Sequence, residues 1–398
     1  MKFSQITLLT FCLFYINVLY AQPPCFSDTK GMYVNDFKLI VGNLAEEDEL
    51  LDYAQDNGFN YLILYNLYYI NNNLFEITDA SASLPLSDFI YKAKTMYGIH
   101  SIAGVGEKFT SFNTIHAYNQ LHLGEPLKQL DVYNMEFEFW NNGTTGPGGY
   151  YCTTYLTPNG LPCDTANAFD FYLEEMCRLD SLCDEHSYVS SETYIGNPTS
   201  GQCTALNNCA DRVLVHYYRS SDVYGDGTSI YNYKSYRLPA LAASDSFSNV
   251  MPIFACTEEF MGEWLETNPH NQAFDTWLTG TDGYDSDIGP WKSNTCVEGS
   301  VWFKYTCMNN EALITNISDK KEADELQIYP NPTTGKIELF GSYSDDVQIT
   351  VSDLSGNLAR SIVQTGKIQM NLSSLPDGAY MVQIKTGESA INRLVLKQ

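Results

Sequence analysis

Basic side chains are scarce in this chain. Its 398 residues carry 22 Lys and Arg against 48 Asp and Glu, a formal net charge of −26. That balance excludes the cationic surface on which binding to nucleic acid or to an anionic membrane depends. Histidine is rarer still, with 6 in the whole chain, and no two cysteines stand at the two-residue spacing of zinc ligands. No zinc site is therefore expected, and no other metal or cofactor. Asp282, Asp285 and Asp287 cluster but miss the calcium-loop spacing, so they read as a solvated turn. Beyond the first 21 residues no apolar run is long enough to span a bilayer, so no transmembrane segment is expected. The stretch from Leu326 to Gln398 has neither cysteine nor tryptophan, which separates it in composition from everything before it.

The N-terminus explains part of this pattern. Lys2, an apolar run from Ile6 to Tyr20, and Ala21 before a cut at Gln22 make residues 1–21 a secretory signal, with an anchored N-terminus as the alternative. Cys12 leaves with that signal. The remaining ten cysteines are an even set: Cys25, Cys152, Cys163, Cys177, Cys183, Cys203, Cys209, Cys256, Cys296 and Cys307. In an exported protein such a set is expected to form disulfides. Sequence leaves their connectivity open. The simplest arrangement joins neighbours: 152/163, 177/183, 203/209 and 296/307.

Eight apolar or β-branched runs predict strands at Gly31–Asp36, Asn60–Tyr65, His100–Val105, Gln129–Glu138, Ser187–Thr193, Arg212–Tyr217, Asn249–Ala255 and Ser300–Tyr305. Helical spacing marks Leu44–Asn57, Leu84–Tyr97, Thr165–Glu185, Tyr236–Ala243 and Glu258–Thr267, the first two stopped by Gly58 and Gly98. Alternation of this kind over residues 22–315 predicts an α/β fold, a (β/α)8 barrel. Chemistry in such barrels sits at the strand C-terminal ends. Glu107, Glu138, Glu192, Tyr217 and Glu258 fall at or near such ends. Each alone reads as a solvated loop residue, and their recurrence marks a cleft. A Gly- and Pro-rich loop, residues 143–163, follows Glu138 directly, and a Cys152–Cys163 bridge would pin it over the cleft mouth.

Residues 131–138 read Asp-Val-Tyr-Asn-Met-Glu-Phe-Glu. On a strand, Asn134, Glu136 and Glu138 share one face, and Tyr133, Met135 and Phe137 share the other. Burying the polar row is costly unless its groups meet water, each other or a ligand. The alternative is an exposed amphipathic strand. The spacing resembles the strand-4 signature D-x-x-D-x-D-x-E of family 18 glycoside hydrolases. Asp131 and Glu138 match its ends, while Asn134 and Glu136 replace its inner acids. Ser101-Ile102-Ala103-Gly104 resembles that family's strand-3 S-x-G-G, and Tyr217 is similar in place to its strand-6 tyrosine.

The resemblance implies a substrate-assisted, retaining hydrolase of β-linked N-acetylglucosamine glycans, chitinase-like or endo-β-N-acetylglucosaminidase-like. Glu138 would be its general acid. Glu136 would orient the substrate acetamido group, Tyr217 would hydrogen-bond it, and Trp302 would floor the sugar. Asn134, Asp131, Ser101 and Glu192 complete the expected binding set. Because Glu136 is one methylene longer than aspartate, a barrel that binds glycan without cutting it is the second reading. A glycosidase pairing Glu138 with Glu192 or Glu258 is a third.

After a polar linker at residues 316–325, residues 326–398 alternate strands with turns, which predicts a small all-β sandwich. Ile328-Tyr329-Pro330-Asn331-Pro332 with Gly335, Asp353-Leu354-Ser355-Gly356, Leu375-Pro376-Asp377-Gly378-Ala379-Tyr380 and Arg393-Leu394-Val395-Leu396-Lys397 resemble the type A C-terminal sorting domain of the type IX secretion system of Bacteroidetes. That resemblance implies the secretion machinery as a partner, export across the outer membrane, and a secreted or cell-surface location.

Overall fold

The β-branched and aromatic runs of the first part of the chain become nine parallel strands. They are β1 (Thr29–Val34), β2 (Tyr61–Leu64), β3 (Ser101–Gly106), β4 (Val132–Met135), β5 (Ser190–Ile195), β6 (Arg212–His216), β7 (Ser248–Ala255), β8 (Thr295–Val297) and β9 (Gly299–Phe303). The computed structural model describes residues 28–221, 227–231, 236–308, 327–329, 333–353, 358–386 and 389–397. The signal segment, Cys25 and the linker 316–325 lie outside the described residues. The chain divides into two compact units, Met1–Glu311 and Ala312–Gln398.

In the first unit β1 to β7 pair in chain order and β9 bridges β7 to β1, so eight strands close into a parallel barrel. The short β8 joins the outer edge of β7. Helices lie between strands: α1 (Leu44–Asp56), α2 (Leu67–Asn73), α3 (Leu84–Met96), α4 (Phe109–Leu121), α5 (Asn142–Thr145), α6 (Thr165–Asp184), α7 (Ser200–Asn207), α8 (Arg237–Ala242), α9 (Glu263–Leu265) and α10 (Asn271–Thr279). This is the (β/α)8 architecture that the alternation implied. All eight expected strands are present. The helix expected at Glu258–Thr267 is instead a π-helical turn, Glu258–Gly262, followed by α9.

Local chemistry explains the helix starts. Asn43 caps α1, Asp164 caps α6, and Thr199 with Gln202 forms a reciprocal capping box on α7. Helix α4 was not expected from sequence. Its Thr- and Asn-rich segment is a poor helix former, and burial of Phe112, Ile115 and Tyr118 stabilises it instead.

Register places the barrel's polar interior. Asn134 pairs with Glu192, and Glu192 with Arg212, so three polar side chains from adjacent strands share one layer. Around them the interior is apolar, with Tyr33, Tyr61, Val105, Tyr194, Leu214, Ile253 and Val301 packed together.

The second unit has five antiparallel strands: β10 (Gln327–Tyr329), β11 (Lys336–Asp353), β12 (Leu358–Asn371), β13 (Gly378–Thr386) and β14 (Ser389–Lys397). Ile337, Ile349, Val351, Met370, Val382 and Val395 form its core.

Disulfides join Cys152 to Cys163, Cys177 to Cys209 and Cys256 to Cys307. Only the first is a sequence neighbour pair. The expected 177/183, 203/209 and 296/307 pairs do not form. Cys177 and Cys183 both lie on α6, where six residues of helix carry their side chains apart. Cys183 and Cys203 are buried thiols, and burial pushes both up, Cys203 to about 12. That is far from the range of a reactive cysteine.

Candidate active site

Beyond the end of β4 the chain keeps its alternation, so Glu136 and Glu138 follow Asn134 on the inner row. Tyr133, Met135 and Phe137 are fully buried on the outer one. Glu136 and Glu138 emerge at the C-terminal mouth into a cavity of about 520 Å³. Its walls include Glu107, Lys108, Tyr65, Tyr68, Tyr151 and Tyr194. The 143–163 insertion supplies Tyr150, Tyr151, Thr154 and Tyr155 to this wall, and the Cys152–Cys163 bridge lies within it. Phe137 stacks on Tyr151 with ring centroids 4.0 Å apart, which ties the insertion to the strand that carries the carboxyls.

Each carboxyl is held by tyrosine hydroxyls. Tyr194 donates to Glu138 Oε1 at 2.7 Å and Asn141 Nδ2 donates to Oε2 at 3.0 Å. Trp140 braces Tyr194 edge-on at 5.3 Å. It fits there because residue 196 is glycine: a Cβ at Gly196 would stand 2.6 Å from the indole. Tyr65 donates a hydrogen bond to Glu136. Tyr150 donates to Glu107 at 2.8 Å, and Tyr155 donates to the same oxygen.

Electrostatics act strongly on Glu136, the first carboxyl beyond β4. Burial pushes Glu136 up to about 7, with the charges of Glu138 and Glu107 adding to the rise. The hydroxyls of Tyr65 and Tyr33 oppose it. Burial thus keeps a protonated Glu136 accessible near neutral pH. Burial, reinforced by the negative charge of Glu136, raises Tyr33, Tyr65, Tyr194 and Tyr218, so all four remain hydrogen-bond donors.

Of the residues expected at the site or at the cleft, Glu107, Glu136 and Glu138 line the cavity, and Asp131, Asn134, Ser101, Glu192, Tyr217, Trp302 and Glu258 do not. Asn134 and Glu192 lie one layer deeper and are fully buried. Asn134 donates to Glu192 at 2.6 Å, Tyr61 donates to the same oxygen at 2.7 Å, and Arg212 Nε holds the other oxygen at 2.6 Å. Arg212 also reaches Glu298 at 3.0 Å. The charge of Glu192 is spent on this network.

Asp131 precedes β4, ion-paired to Lys94 at 2.7 Å and accepting from Ile102 N at 2.8 Å. Ser101 starts β3. Both therefore sit at the strand N-terminal ends, opposite the cavity. Tyr217 packs on Trp277 at 5.4 Å and under the Arg237 guanidinium at 4.8 Å, while Trp302 packs on Phe254 at 5.4 Å. These two side chains face the helix layer. Strand side chains alternate, so a shift of one position reverses the face. The inward aromatics are their neighbours Tyr218 and Phe303, 6.4 Å apart and stacked. Glu258 lies in the π-helical turn after β7 and is not part of the wall.

Sequence reasoning missed Tyr65, Tyr194 and the Glu107–Tyr150–Tyr155 group as a unit. Tyr194 carried a signal, being two residues after Glu192 on one strand face. Among the described residues no group of three or more His, Cys, Asp or Glu could hold a metal ion. No helix among them is long and apolar enough to cross a membrane.

No curated protein matches the chain. Solved structures with a similar course include three glycoside hydrolases. One is a Cellulomonas fimi endo-β-1,4-mannanase double mutant, 11% identical over 94% of each chain with a TM-score of 0.39. Another is Bacteroides uniformis β-glucuronidase 2, 9% identical over 93% of this chain with a TM-score of 0.40; the match spans 46% of that enzyme's length. A third is a family 18 chitinase from Pseudoalteromonas aurantia, 12% identical over 72% of this chain and 97% of that one, with a TM-score of 0.39. Likeness at this level assigns the chain to none of their families. Residues 327–398 match the model of the secretion system C-terminal sorting domain. The chain therefore carries a type IX sorting domain and is exported to the cell surface or medium.

Proposed function

We propose that the cavity hydrolyses a glycosidic bond, with Glu136 and Glu138 as its working carboxyls. The observation that carries this reading is their placement. Two carboxyls project from one strand end into a tyrosine-walled cavity at the barrel's C-terminal mouth, and burial raises one of them, Glu136, to about 7. Aromatic walls suit sugar rings, and a carboxyl with a raised pKa is what protonation of a leaving alkoxide requires.

The finer reading follows the strand-4 spacing: a β-linked N-acetylglucosamine glycan, with the substrate's own acetamido oxygen as nucleophile. Burial favours the protonated form of Glu136. Both oxygens of Glu138 accept hydrogen bonds, from Tyr194 and Asn141, as suits a carboxylate. The roles implied by the family signature are accordingly exchanged along the strand. Glu136 donates to the leaving oxygen, and Glu138 orients the acetamido N–H and stabilises the positive charge that develops. Tyr65 positions Glu136.

Incubation of the full chain with chitooligosaccharides and a high-mannose glycopeptide, followed by mass spectrometry, tests this. Shortened glycans whose formation stops in Glu136→Gln are expected. Binding of glycan without turnover would leave a lectin-like barrel instead.

A further inference from the structure

Beyond Glu136 and Glu138, which the proposed hydrolysis uses, the cavity holds Glu107 and the Asn66 amide oxygen, acceptors that cleavage of a neutral sugar does not need. Three carboxyls line it, Glu107, Glu136 and Glu138, and among the described residues none is paired with a lysine or arginine. Their hydrogen bonds come from tyrosine hydroxyls and one asparagine. Among the described residues the one cation of the wall is Lys108, which lies 5.4 Å over the Tyr155 ring.

A separate observation points the same way. Asn66, also in the wall, has a left-handed backbone with φ 68°, and its side-chain oxygen is buried without a hydrogen-bond partner. Asparagine adopts that conformation readily, so it is the unmet acceptor beside the cavity that is available to a ligand. Six tyrosines, Tyr65, Tyr68, Tyr150, Tyr151, Tyr155 and Tyr194, present ring surface to the same space. Carboxylates, an unmet acceptor and aromatic faces together are the chemistry that receives an ammonium group.

We infer that the cavity selects glycans carrying free amines, and that a partly deacetylated amino-sugar chain, not a uronate or sulfated one, is its preferred ligand. This rests on the glycosidase reading. The acetamido sugar occupies the Glu136–Glu138 end, and a neighbouring glucosamine places its ammonium beside Glu107. The same field repels anionic glycans.

Calorimetric titration of the full chain with three oligosaccharides of equal length tests it: fully acetylated, partly deacetylated, and uronate-containing. The partly deacetylated ligand is expected to bind about fivefold or more tighter than the acetylated one, the effect of one partly exposed charge pair. The uronate ligand should bind most weakly, and added salt should erase the preference. Glu107→Gln should remove most of the gain. Lys108→Met, which deletes the one opposing charge, should enlarge it. Equal affinity for acetylated and deacetylated ligands, or tighter uronate binding, overturns amine selection while the glycosidase reading stands. Failure of all three sugars to bind overturns both.

Discussion

At the scale of single residues, the site turns on where one proton rests. Glu136 is raised to about 7 from an ordinary value near 4.5, mainly by burial. Below about pH 4.5 it is protonated in both folded and unfolded chains and costs nothing. Between about 4.5 and 7 the unfolded chain ionises first, and above about 7 the folded protein bears the full cost of a buried charge. Glu136→Gln should therefore raise the melting temperature at about pH 8 more than at about pH 5, by the equivalent of about 2 kcal/mol. An equal shift at both pH values would contradict the cause given for the raised value. The deeper layer predicts the opposite sign. Arg212→Met leaves Glu192 buried without its cation and should cost about 3 kcal/mol in denaturant unfolding, with little change in glycan affinity. The inner row Asn134, Glu136, Glu138 was legible in the sequence because its period of two is unambiguous. Tyr217 and Trp302 were misplaced because the exact strand phase at β6 and β9 is set by barrel closure, which leaves no local mark.

At the scale of elements, the sequence carried the strand count and the barrel but not the insertion's partners. Residues 143–163 were recognisable as a long loop. That they bring Tyr150 and Tyr155 to Glu107 depends on distant elements. Of the disulfides only Cys152–Cys163 was recoverable. Cys177–Cys209 and Cys256–Cys307 link segments that the fold, not the chain order, brings close. If the short bridge holds the wall in place, replacing Cys152 and Cys163 by serine should raise KM by roughly threefold to tenfold. That is the effect of about 1 kcal/mol of lost ordering. The melting temperature should also fall, since short-loop bridges contribute about 3 kcal/mol. Steady-state kinetics and calorimetry on the double variant check both, and an unchanged KM would make the insertion a bystander.

At the scale of the whole molecule, the sorting domain and the proposed site belong to separate units. Deleting residues 327–398 should trap the protein in the periplasm of its host, as immunoblots of cell fractions would show. The central claim concerns the barrel: Glu136 carries the proton that glycoside cleavage needs. Its most direct test is the pH dependence of kcat/KM on a chitooligosaccharide, measured for the wild type and for Glu136→Gln. The wild-type rate should fall about tenfold per pH unit above about 7 as Glu136 loses its proton. Glu136→Gln should lose about 10²–10⁴ in rate on that poor leaving group. An activated aryl glycoside, which needs little protonation, should restore much of the loss, with no falling limb near pH 7. A wild-type limb near 7 that survives in Glu136→Gln would place the acid elsewhere and contradict the account.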